Sequence, residues 1–162
     1  MTDKGFIKIK GIILVNKNIE TVFDFFANPN NDKLWRTEIN QSHLDGALQL
    51  GTTVSEYSYL SKKVSNNLIE LKCVKFDKNK IAIFEALNSA KFYLISERKV
   101  KFISSNTTEV NYSISFDKSI VKFALGFAIP KFIISLKAQS DMKKYLRKLK
   151  TILENDGQKS SR

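Results

Sequence analysis

One strand of this chain carries an arginine on its apolar face. Between Lys91 and Ile103 the residues Phe92, Leu94, Val100 and Phe102 share one parity, and Ser96 and Arg98 fall on that same parity. A guanidinium aimed into an apolar layer is costly unless it is paired. Two arrangements answer this. In one, Arg98 is a polar hook inside an apolar cavity, with Ser96 beside it, and grips a carboxylate or phenolate. In the other, a twist or bulge turns Ser96-Glu97-Arg98 outward. Glu56 poses the same question, since Val54, Ser58 and Leu60 share its face of the strand while Tyr57 and Tyr59 take the other. Facing inward, it would pair with Arg98 or serve as a general base of raised pKa; facing outward, it is solvated. Glu70, among Leu68, Lys72, Val74 and Phe76, is a parallel case.

Four further residues join the candidate ligand-binding set. Tyr112 offers a phenol from the apolar face of its strand, or is a core aromatic with its hydroxyl tied locally. Ser135 and Gln139 lie four apart on the apolar face of a terminal helix, so they border a cavity or mark a half-exposed margin. Trp35 would suit the rim of an apolar pocket, or it plugs the gap between the second short helix and the sheet. Arg36 beside it would meet a ligand carboxylate or sit paired at the surface.

Other chemistries lack their parts. His43 is the sole histidine and Cys73 the sole cysteine, too few for a typical zinc site or an intrachain disulfide. The run 46–52 has the glycine spacing of a phosphate loop without the lysine that follows, so it reads as a strand-connecting turn. No dinucleotide fingerprint and no RNA-binding aromatic signature appears. No cofactor is expected, no catalytic residue is assigned, and whether the chain is an enzyme is left open.

The elements that must position these side chains follow from periodicity. Phe6 to Val15 alternates and then turns wholly apolar, as a strand entering a core does. Asn18 is an N-cap, and Ile19, Val22, Phe23 and Phe26 make one helix face. Asn28-Pro29 starts a second short helix that runs to about Trp35. Strands follow from Ile39: Thr52 to Leu60, Asn67 to Phe76, Ile81 to Leu87, Lys91 to Ile103 and Glu109 to Asp117. The last has Val110, Tyr112, Ile114 and Phe116 on one face and Asn111, Ser113 and Ser115 on the other. Turn-length spacing makes the sheet antiparallel. A long helix runs from Lys131 to about Glu154, with Phe132, Leu136, Met142, Tyr145, Leu146, Leu149, Ile152 and Leu153 on its apolar face. Gly126 and Pro130 flank an apolar segment before it, as a hinged gate or a kink. The expected domain is 1–154, with 155–162 a frayed polar tail.

The chain has 162 residues, enough for one domain with a real core. Its 27 Lys and Arg against 16 acids give a formal net charge of +11. That balance fits an anionic partner or merely a lysine-rich solvated surface. Phe6 to Val15 is broken by Lys8 and Lys10 and lacks a small-residue cleavage site, so it does not read as a secretory signal. Ile120 to Leu136 is too short and too charged for a membrane span. One cysteine and no visible leader make the cytoplasm the expected compartment.

The order of elements resembles the helix-grip fold of the START, Bet v 1 and polyketide cyclase proteins, the SRPBCC superfamily. The local match is to its polyketide cyclase/dehydrase-like branch. It is carried by Val15-Asn16, Ile19-Glu20, Val22-Phe23, Phe25, Ala27-Asn28-Pro29 and Trp35, by Gly51-Thr52 at the opening of the third strand, and by the closing Tyr145-Leu146-Arg147-Lys148-Leu149-Lys150. The resemblance implies an α+β fold: a curved antiparallel sheet of about seven strands wrapped on a long C-terminal helix, with two short helices after strand 1. It also implies a pocket for an apolar small molecule between sheet and helix. The expected function is therefore non-covalent binding of a hydrophobic molecule (lipid-, aromatic- or polyketide-like), with Arg98 the leading polar hook. The alternatives are a cyclase/dehydrase-type enzyme in the same cavity, or a basic module for transient contact with an anionic membrane or an acidic protein. No nucleic-acid partner is expected, and the sequence leaves the oligomeric state open.

Overall fold

The computed structural model describes residues 5–156; of the polar tail, 157–162 lie outside the described residues. β1 (Phe6–Val15) buries Ile7, Ile9 and Val15 on one face. Asn18 then caps α1 (Ile19–Phe26), its Oδ1 accepting from the Thr21 amide at 2.9 Å, and Val22, Phe23 and Phe26 turn inward. Asn28 caps a single 3-10 turn, Pro29–Asn31, which runs directly into α2 (Asp32–Trp35). Strands then follow in series: β2 (Ile39–Leu44), β3 (Thr53–Ser58), β4 (Asn67–Asp77), β5 (Ile81–Ala86), β6 (Leu94–Ser104) and β7 (Thr107–Asp117).

All seven strands join one antiparallel sheet in the order β1-β7-β6-β5-β4-β3-β2. Hairpins lay down β2 to β7 side by side, and α1 and α2 bridge the two edges. Register shifts at Ile39/Gln41, Cys73/Lys75 and Phe102/Ser104 add local bends, which is how a sheet curls instead of lying flat. The concave face carries the core. α3 (Ser119–Leu125) ends at Gly126, whose φ of 84° is the left-handed cap glycine accepts without strain. α4 (Lys131–Asn155) then lies in the bowl, so the fold is α+β with the expected topology.

The inward stripe of α4 is Ile134, Ala138, Met142, Leu146, Leu149 and Leu153. This corrects the apolar face expected from the sequence, because Phe132 and Leu136 are exposed. Residues two apart on a helix point about 200° from each other, so once Ile134 packs inward, Phe132 and Leu136 must face away. α4 presses closely on β1 at Gly11. A Cβ there would lie 2.5 Å from Leu146 Cδ1 and 2.8 Å from Met142 Cγ. The helix also covers the strand's open edge: Gln139 Nε2 donates to the Lys10 carbonyl at 2.8 Å, Lys150 Nζ donates to the Leu14 carbonyl at 2.7 Å, and the Asn16 amide donates to Glu154 Oε1 at 2.8 Å. An edge strand so occupied is blocked from pairing with another chain.

Candidate functional site

Arg98 points into the bowl, opposite Tyr112 on β7 and Ala82 on β5. There is no outward twist at this point; Glu97 faces the other way and pairs with Lys99. The guanidinium reaches the short helices above it. Its two terminal nitrogens donate to Asp32 Oδ1 at 2.7 Å and Oδ2 at 2.6 Å, and one also donates to the Phe26 carbonyl at 2.9 Å. Its Nε lies 3.5 Å from Ser96 Oγ. The rings of Phe84, Tyr112 and Trp35 lie around it, with centroids 5.1, 5.8 and 5.9 Å from its central carbon. Burial opposes its charge, yet the bidentate Asp32 holds the guanidinium above its ordinary pKa.

Asp32 is shared. Its Oδ2 also accepts from Arg36 at 3.2 Å, and Arg36 continues to Glu56 Oε2 at 2.9 Å and to Glu38 Oε1 at 2.8 and 3.0 Å. The result is a buried chain, Arg98–Asp32–Arg36, that branches to Glu56 and Glu38. Two cations face three carboxylates, so the cluster is short of one positive charge if all are ionised. Burial pushes the Glu56 carboxyl above its ordinary range, against the pull of Arg36. Tyr145 on α4 stands next to Glu38; burial first, then that carboxylate, holds its phenol well above its usual value.

The α4 helix and the sheet part beyond this cluster. A partly open hollow of about 520 Å³ lies between them, within the range of small-molecule sites. Ile69, Leu94, Ile114 and Phe116 supply its apolar wall from the sheet, and Ile120 and Val121 of α3 close one side. Arg36, Glu38, Glu56 and Tyr145 make its polar end. Four of the five N–H groups of Arg36 are already donated to carboxylates. Among the described residues no protein donor occupies the second oxygen of Glu56. The polar end is therefore rich in acceptors, with its cations neutralised.

The seven candidates thus separate. Glu56 lines the hollow, and its partner is Arg36 and not Arg98. Arg98 and Ser96 lie behind the wall, in the buried cluster. Trp35 is fully buried, packed edge-on to Tyr112 with centroids 5.2 Å apart, so it plugs the bowl and forms no rim. Tyr112 is buried beneath it; burial pushes its phenol up to about 12, and among the described residues neither its hydroxyl nor the Trp35 indole N–H finds a protein partner. Ser135 and Gln139 lie on the other flank of α4, in a shallow groove beside Lys8 and Ile9, away from the hollow. Glu70 faces solvent from the convex side of β4.

Sequence reasoning misses Asp32 and Glu38, and Arg36, which it reads as meeting a ligand carboxylate or as paired at the surface, is paired but buried, at 4% exposure. One signal was present. An inward arginine demands an acid, and Asp32 opens the first turn of α2, one of the two short helices that follow β1.

The Glu56 shift has a consequence for stability. A carboxyl whose folded pKa is raised contributes most below its unfolded value, near 4.5, and loses that contribution as pH rises through its folded value. Glu56→Gln removes the titration and keeps the shape. The thermal midpoint of the variant should therefore gain on the parent between pH 4.5 and pH 7.5. A parent that gains on the variant over that interval would contradict a strained, buried Glu56.

No family model matches the sequence, and no curated protein matches it. Solved structures do match. A START superfamily protein from Mycobacterium smegmatis aligns with a TM-score of 0.70 at 9% identity, covering 93% of this chain and 98% of the other. The Zhui aromatase/cyclase from Streptomyces sp. R1128 gives 0.69 at 11% identity, covering 93% and 94%. A protein of unknown function from Staphylococcus aureus gives 0.71 at 9% identity, covering 97% and 99%. At these identities the likeness is one of fold: this chain has the START-like fold that polyketide aromatase/cyclases share.

Proposed function

We propose that this chain binds an apolar small molecule in the hollow between sheet and α4, with a hydrogen-bond donor on the molecule directed at Glu56. The observation that carries this is the division of the hollow into an apolar wall and an end where carboxylates outnumber arginines. Affinity would come from burial of apolar area, at about 25 cal/mol per Å² before losses. Orientation would come from the free Glu56 oxygen and the Tyr145 phenol. An arginine hook for an acidic ligand no longer fits, because Arg98 and Arg36 are consumed by Asp32, Glu38 and Glu56.

Ligands with one tail and different heads test this directly. Decanol or decylamine should bind at least about tenfold more tightly than decanoate, since a carboxylate would meet like charge at the polar end. Tightest binding by decanoate would end the proposal. A second reading, a cyclase/dehydrase-type enzyme, is favoured by one observation: a raised Glu56 pKa suits proton transfer nearer neutral pH. It requires turnover of a polyketide-like substrate that Glu56→Gln abolishes while decanol binding persists.

A further inference from the structure

The longest stretch of this chain without an acid runs from 118 to 140 and carries Lys118, Lys122, Lys131 and Lys137. It comprises α3, the turn after it and the first turns of α4. Its two sides differ. Ile120, Val121 and Ala138 face the hollow. Phe127, Phe132 and Leu136 face out, at 60, 66 and 69% exposure, with Phe123 and Ile133 also exposed. More cations border it: Lys91 Nζ sits 3.7 Å from the centroid of Phe123, and Lys63 lies beside Gly126. The loop carrying Lys62 and Lys63 is tied to α3 by Ser61 Oγ, which donates to the Ala124 carbonyl at 2.6 Å. Three large apolar side chains standing out on one short segment are an interaction surface, not ordinary scatter.

We propose that this face docks on an anionic lipid bilayer, with Phe127, Phe132 and Leu136 entering the interface and the lysines held at the headgroups. Charge decides the occupant. A second copy of the same face would set Lys118 and Lys122 against lysines in a segment that itself carries no acid, although Lys137 pairs with Asp141 just beyond it at 2.8 Å. An anionic surface meets both features at once, the apolar side chains by burial and the cations by attraction, and a stable peripheral contact needs two such signals. The inner side of the same segment walls the hollow, so docking sets the wall formed by α3 against the membrane. This inference goes beyond the proposed binding activity and does not require it.

The test is sedimentation of the full chain with phosphatidylcholine vesicles, with and without phosphatidylserine. The chain should sediment with the serine-containing vesicles and lose that binding as salt rises. Combining Phe127→Ser, Phe132→Ser and Leu136→Ser should weaken it at least about tenfold. Lys118→Gln with Lys122→Gln should weaken it about twenty-five-fold, at about fivefold per lysine. Lys72→Gln with Lys75→Gln, on the convex face of β4, should change it far less. All the substituted side chains are exposed, so an unchanged far-ultraviolet circular dichroism spectrum and thermal midpoint of the variants report an intact fold and stand apart from both the vesicle result and ligand binding. Absence of sedimentation, as for a chain whose partner is an acidic protein, overturns the proposal. So does equal loss from the β4 lysines, or unchanged binding by the triple serine variant.

Discussion

Asp32→Ala is expected to cost the fold about 4 kcal/mol or more. The reason is that one carboxylate serves two buried arginines. Asp32 is wholly buried and accepts from Arg98 at 2.6 and 2.7 Å and from Arg36 at 3.2 Å. Without it, Arg98 keeps only the Phe26 carbonyl and a long contact to Ser96. An unpaired guanidinium in that place cannot shed its proton and cannot reach water. Ordinary domains have only about 5–15 kcal/mol in hand, so the loss takes a large share of the total. Urea denaturation reads it: at an m-value of about 2 kcal/mol per molar, the midpoint should fall by about 2 M. Asp32→Asn keeps the shape and one acceptor and should fall between. A midpoint for Asp32→Ala within about 0.5 M of the parent's would mean that the arginines find other partners, and the cluster would not be what joins the short helices to the sheet.

Ala138→Phe should abolish ligand binding, by about a hundredfold or more, while leaving the fold standing. Ala138 sits on the inward stripe of α4 and lines the hollow. A phenyl ring there fills space that a guest would take. Because the space is open, the ring displaces no packed side chain, so the usual cost of overpacking, about 1–3 kcal/mol, should not appear. Decanol titration against the variant checks the first expectation and its thermal midpoint the second. Binding that survives at parental affinity would place the ligand elsewhere, most directly in the groove beside Lys8.

Much of this architecture is legible in the chain because local rules agree with the fold. Asn18 caps what its position says it caps, Pro29 sits at the first position of its turn, and β7 alternates as strictly as its neighbours require. What is legible about the site is that Arg98 and Glu56 share parity with apolar neighbours; parity leaves open whether each turns outward, and both face inward. Their partners were not legible. Asp32 and Arg98 are 66 positions apart and meet only because β6 passes under the short helices. Periodicity places a side chain on a face, but it does not say which element covers that face. The same limit explains Ser135 and Gln139. The sequence showed polar residues bordering an apolar stripe, and only the rotation set by Ile134 and Met142 decides that they flank β1 and not the hollow. Without that rotation, periodicity alone puts Phe132 and Leu136 on the apolar face of the helix.

The account as a whole rests on a guest-sized space that α4 leaves unfilled. Native mass spectrometry of the chain incubated with decanol, beside the Ala138→Phe variant, tests it most directly. The parent should carry one adduct that the variant lacks. An adduct retained by the variant, or none on the parent, would show that the bowl does not hold the ligand.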